Sequence, residues 1–162
     1  MWKLMLAIMF LVAACGNALA QGQEPLETAT RFGPLTVGED KMLLFNGRPL
    51  SPPVEGNNSL DLGEAFSIGE RDVVLVTDNG GTACPHLYYF VTVSASSAKA
   101  TPPFGTCNEL STIKRTGNSI SVTMQGFRGP FEPAAEQRRA ARRRYVFIYR
   151  AGVVTENGKP VK

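Results

Sequence analysis

The chain is short of the residues from which most active sites are built. Its 162 residues include one histidine, one tryptophan and three cysteines. Most hydrolytic triads and metal centres would therefore depend on His86 alone. There is no Gly-x-Ser-x-Gly elbow, phosphate-binding loop, His-Glu-x-x-His or dinucleotide fingerprint, and nothing points to a cofactor or a bound metal. A strong excess of one charge is also lacking. Seventeen Lys and Arg stand against 14 Asp and Glu, too even a balance to argue for a nucleic-acid partner. The longest apolar run, Leu4 to Ala14, falls short of the roughly twenty residues that span a bilayer.

What is present begins with that run. Preceded by Lys3 and followed by Ala18-Leu19-Ala20, it fits a secretory signal over residues 1–20 with cleavage before Gln21. Val12-Ala13-Ala14-Cys15 is a competing, lipobox-like site that would make Cys15 the point of lipidation. Removing residues 1–20 takes Lys3 and no acid, leaving 16 basic against 14 acidic side chains. Both routes imply an exported bacterial chain, periplasmic or secreted in the first case and an outer-membrane lipoprotein in the second. Both also leave Cys84 and Cys107 in an oxidising compartment, where a disulfide between them is expected. Closing a loop of that length is worth roughly 3.5 kcal/mol.

Residues 21–31 are polar and without periodicity, and read as a flexible lead into one β-rich domain over 32–162. Short apolar runs then alternate with turn residues. Asn46-Gly47 between "KMLLF" and "RPL" is a hairpin signal, because both residues accept positive φ. "DVVLVT" (72–77) reads as a buried strand. "HLYYFVTVS" (86–94) reads as another, with Leu87, Tyr89, Val91 and Val93 on one face and Tyr88, Phe90 and Thr92 on the other. "SSAKATPPFG" reads as a loop. "ELSTIKR" and "SISVTMQ" flank Thr-Gly-Asn as a hairpin, with Ile120, Val122 and Met124 inward. "PFEPAAEQRRAARRR" predicts one helix, with Pro133 near its start and arginines toward its end. "YVFIYR" (145–150), apolar on both faces, predicts a central strand. The ending "VVTENGKPV" echoes "LLFNGRPL", which is shared turn chemistry rather than duplication. The class is mainly β, α+β with one helix in the C-terminal half. It is expected as an antiparallel β-sandwich or strongly curved sheet of about eight short strands.

Candidate chemistry centres on Cys84-Pro85-His86. A thiolate–imidazole pair is conceivable, as is zinc held by Cys84, His86 and Cys107, but both need reduced sulfur. The three residues resemble the loop of Ivy-type lysozyme inhibitors, without the nearby second cysteine that closes the small ring of that family. The resemblance implies a disulfide-braced loop presenting a histidine to an acidic enzyme cleft. A pinned turn with a structural His86 is the plainer expectation. The candidate binding surface comprises His86, Tyr88 beside it, and Arg138, Arg139, Arg142 and Arg143. On a helix these arginines form i,i+4 neighbours able to meet anionic lipid, phosphate or an acidic protein. A solvated helix face with its cations at the favourable end is the plainer expectation.

The leading expectation is an envelope protein that binds a protein partner, for instance as an inhibitor or immunity factor against a wall-acting enzyme. The alternatives are a lipid-anchored accessory protein held by Cys15, and a small hydrolase using His86 with a distant carboxylate.

Overall fold

A computed structural model describes residues 26–162. The cleavage site after Ala20 and the candidate lipidation site Cys15 lie outside the described residues. Among those described, no helix is long and apolar enough to cross a membrane.

Three antiparallel sheets follow one another along the chain. The first comprises β1 (Glu27–Thr30), β2 (Gly33–Val37), β3 (Leu43–Phe45) and β4 (Arg48–Pro49). The second comprises β5 (Ser59–Ile68), β6 (Arg71–Asn79), β7 (His86–Ser94) and β8 (Ser97–Ala100). Along the same edge of β7, beyond β8, runs β9 (Phe104–Cys107). The third comprises β10 (Leu110–Thr116), β11 (Ser119–Gln125), β12 (Arg144–Arg150), β13 (Val153–Glu156) and β14 (Lys159–Pro160). The one helix among the described residues, α1 (Ala134–Ala141), joins β11 to β12.

The second sheet is the middle layer, and the alternation of side chains along its strands explains why. Val73 and Leu75 of β6, with Tyr88 and Phe90 of β7, face the third sheet and share a core with Phe104, Val122, Phe147 and Tyr149. Val74 and Val76, with Val91 and Val93, face the first sheet and pack with Leu35, Leu43 and Leu60. One core is therefore rich in aromatic rings, with Phe90 and Phe104 stacked at 5.3 Å and Phe90 4.9 Å from Tyr149. The other is aliphatic. A strand buried on both faces needs a continuous apolar run such as Val73–Val76 of β6.

The expected class stands: mainly β, antiparallel, with one short helix. Several details differ. Fourteen strands replace about eight, in three layers, since the chain uses pieces as short as Arg48–Pro49. Strand pairing starts at Glu27, inside the segment expected to be flexible, because β1 pairs along its whole length with β2. "SSAKATPPFG" supplies most of β8 and β9 rather than a loop. β5 carries a register shift between Leu62 and Ala65, so that Leu60 and Leu62 pack toward the first sheet and Phe66 and Ile68 toward the third. β12 is flanked by β11 and β13, but its sheet is an outer layer and leaves Ile148 42% exposed.

The echoed turns are alike in geometry. Asn46 and Gly47 have φ of 50° and 73°, and Asn157 and Gly158 have 50° and 77°. Each joins a two-residue return strand ending in proline.

Candidate functional site

The candidate site is the end of the middle sheet where β6 leaves and β7 enters. The Gly81–Cys84 turn is closed by the Cys84 amide donating to the Gly81 carbonyl at 3.1 Å, and the Gly80 amide donates to the Pro85 carbonyl at 2.7 Å. A Cβ on Gly80 would collide with the Cys84 carbonyl oxygen, so the tightness of this loop requires glycine there. Cys84 is bonded to Cys107, with Cα atoms 4.7 Å apart. The bond ties the loop to the end of β9. The sulfurs are thus joined to each other, which removes both the thiolate nucleophile and the three-ligand zinc site as readings of this corner.

His86 is the first residue of β7, paired with Asn79 on one side and Cys107 on the other. Cys84 lies in the loop and not on the strand, so the same-face pairing of thiol and imidazole does not arise. The Asn79 amide nitrogen donates to Asp61 Oδ2 at 2.7 Å and to Ser59 Oγ at 3.0 Å. That leaves Asn79 Oδ1 as the acceptor for His86 Nδ1 at 3.0 Å. In the neutral ring the proton is therefore on Nδ1, and Nε2 carries the lone pair. Nε2 lies 3.9 Å from Glu109 Oε1; the imidazole is 25% exposed and the Glu109 side chain 84% exposed. The ring is held from behind and open in front. Asn79, Asp61 and Glu109 were not legible as its partners, because strand register and the disulfide bring them together.

Tyr88 does not belong to the surface. It is 3% exposed, with its ring against Phe104 and its hydroxyl donating to the Asn108 carbonyl at 3.0 Å. Burial pushes that hydroxyl up to about 12. Tyr89, on the opposite face, packs against the aliphatic core, and burial, then the nearby Asp78 charge, raises its pKa too. The expectation that one of the two tyrosines would be displayed assumed a two-layer sandwich. A middle layer has no free face.

The arginines do come together. α1 ends at Ala141, so Arg138 and Arg139 lie on the helix, Arg142 occupies its C-cap, and Arg143 lies beyond it. This is a shorter helix than the sequence predicts, cut off where β12 must begin. Arg138, Arg139, Arg142 and Arg143 line a shallow groove with Ala135. Arg139 and Arg143 also border a deeper groove of about 470 Å³ whose wall includes Gly105 and Thr106 of β9. Cys107, the next residue, pairs with His86. The disulfide corner and the arginine face thus flank the same short strand.

No protein-family model, curated protein or solved structure matches the chain.

Proposed function

We propose that this is an exported bacterial envelope protein that acts by binding another protein, as an inhibitor or immunity factor for a cell-wall-acting enzyme. Its contact is the disulfide-braced corner formed by the Gly81–Cys84 turn, His86 and Glu109. One observation carries the reading: His86 is oriented by Asn79 on a covalently fixed corner, while its other nitrogen and Glu109 are left without a firm internal partner. Rigid presentation lowers the ordering cost of association. His86 Nε2 can accept from a protonated carboxyl, or donate to an ionised one once the ring is itself protonated, as the acidic clefts of polysaccharide-cleaving enzymes with their paired catalytic carboxyls require. The hydrolase reading has less behind it, since the disulfide takes up the Cys84 thiol and the carboxylate beside His86, Glu109, is 84% exposed.

The test is inhibition of purified muramidases and amidases acting on peptidoglycan. Stoichiometric inhibition of at least one enzyme is expected, weakened about tenfold or more by His86→Ala if the ring is an anchor of the contact. Inhibition untouched by His86→Ala would move the contact elsewhere. Peptidoglycan cleavage by the chain itself would favour the hydrolase.

A further inference from the structure

The second surface concerns charge and one exposed ring. Residues 128–144 contain six arginines, Arg128, Arg138, Arg139, Arg142, Arg143 and Arg144, against Glu132 and Glu136. That segment carries +4 while the whole chain carries +3, so the remainder sums to −1. All of the molecule's excess positive charge sits on one connection. α1 has no buried residue. Arg139 pairs with Glu136 at 3.3 Å, and among the described residues no ion pair engages Arg138, Arg142 or Arg143.

Beside this face stands Phe131, 93% exposed. Its position is fixed. The Glu132 amide donates to the Gly129 carbonyl at 3.0 Å, closing a turn with Phe131 at its tip. Gln137 of α1 reaches back, its side-chain nitrogen donating to the Glu132 carbonyl at 2.7 Å and the Pro130 carbonyl at 3.3 Å. Pro130 and Pro133 restrict the backbone on either side. An aromatic ring built to point into solvent, on a turn pinned to an arginine-bearing helix, has the make-up of an interfacial anchor.

We propose that α1 and the Phe131 turn dock the protein onto an anionic phospholipid surface, with Phe131 entering the headgroup boundary and the arginines meeting phosphates around it. The groove lined by the arginines is shallow, and its walls are long flexible side chains. It suits several phosphates spread over a surface better than one enclosed phosphate. An acidic protein would satisfy the arginines but gives Phe131 no role. The proposal is independent of the His86 contact and uses none of its residues.

The test is co-sedimentation of the protein beginning at Gln21, so that neither the apolar run Leu4–Ala14 nor an acyl chain on Cys15 contributes. One set of vesicles is phosphatidylcholine alone, the other about one-third phosphatidylglycerol. Binding is expected to the anionic vesicles only, and to weaken as salt rises. Phe131→Ser should lower partitioning about tenfold with the salt dependence kept. Arg138→Gln with Arg142→Gln should lower it about fivefold per arginine and flatten the salt dependence. Phe131, Arg138 and Arg142 are all exposed, so circular dichroism should be unchanged by these substitutions. Equal binding to neutral vesicles, or binding indifferent to both variants, would overturn the proposal. Failure to bind anionic vesicles would also overturn it and leave the arginines to an acidic protein.

Discussion

At its Arg71 end, β6 is tied to the first sheet by charge, whereas at its Asn79 end the loop it enters is tied to β9 by a covalent bond. At the first end Asp72, 1% exposed, accepts from the Arg31 amide and from Arg31 Nε, both at 2.7 Å, and from Ser67 Oγ at 2.9 Å. The Arg31 guanidinium also donates to the Gly69 and Arg71 carbonyls, so one side chain stitches the β1–β2 turn onto the β5–β6 turn. Both Asp72 oxygens are answered from within the protein, as a buried carboxylate demands. At the second end the backbone is fixed just as firmly, but His86 Nε2, Glu109 and the exposed turn residues face water. The saturated end is architecture. The end that is held but unsatisfied is where recognition has something to use.

Breaking the covalent end should have the larger effect on stability. Replacing both cysteines with alanine should cost roughly 3.5 kcal/mol in chemical denaturation, for a sequence separation of 23. A loss below about 1 kcal/mol would mean that β9 is held by its strand pairing and core packing alone.

Breaking the charged end with Arg31→Ala should cost about 2 kcal/mol, because Asp72 stays buried with fewer donors. Burial alone would raise the Asp72 carboxyl. The hydrogen bonds from the Arg31 amide and side chain and from Ser67, with the Arg31 charge, outweigh it and hold the pKa below the ordinary carboxylate range. A carboxyl lowered by folding binds fewer protons in the native state than in the unfolded one. Its contribution is therefore full above the unfolded value of about 3.9 and is lost as pH falls through the lower native value. Denaturation measured across acid pH should show this loss in the wild-type chain. It should shrink in Arg31→Ala, which removes the guanidinium hydrogen bond and charge but keeps the backbone amide of residue 31 and the Ser67 hydroxyl as donors.

The smallest effect should come from Tyr88→Phe, near the covalent end but inside the core: about 1 kcal/mol for one hydrogen bond. Here the sign is opposite. A hydroxyl pushed up to about 12 stays protonated in the native state after the unfolded tyrosine has ionised. Stability should thus fall as pH rises between roughly 10 and that native value, and this part of the alkaline loss should be absent in Tyr88→Phe.

The two ends were not equally legible in the sequence. The covalent one could be read from the two cysteines that a secretory signal over residues 1–20 would leave, and the Asn-Gly hairpins and the β6 and β7 runs from local chemistry. The charged one could not, because Arg31 and Asp72 are 41 positions apart and Arg31 lay in a stretch whose polarity read as slack. Tyr88 was misplaced because alternation assigns a residue to a face without saying whether another layer covers it. Phe131 was visible only as part of a helix-start segment; its exposure follows from the turn that Gln137 holds. The arginine pairs were foreseen, but not the helix end between Arg139 and Arg143, which is set by where β12 must pair with β11.

Most depends on Cys84 and Cys107 being joined in the folded protein, since that bond makes the His86 corner a fixed surface instead of a thiol site. The direct measurement is a count of reactive thiols in the exported chain, unfolded without reductant and trapped by alkylation. The account predicts that neither Cys84 nor Cys107 is alkylated until reductant is added. Alkylation of both without reductant would contradict it.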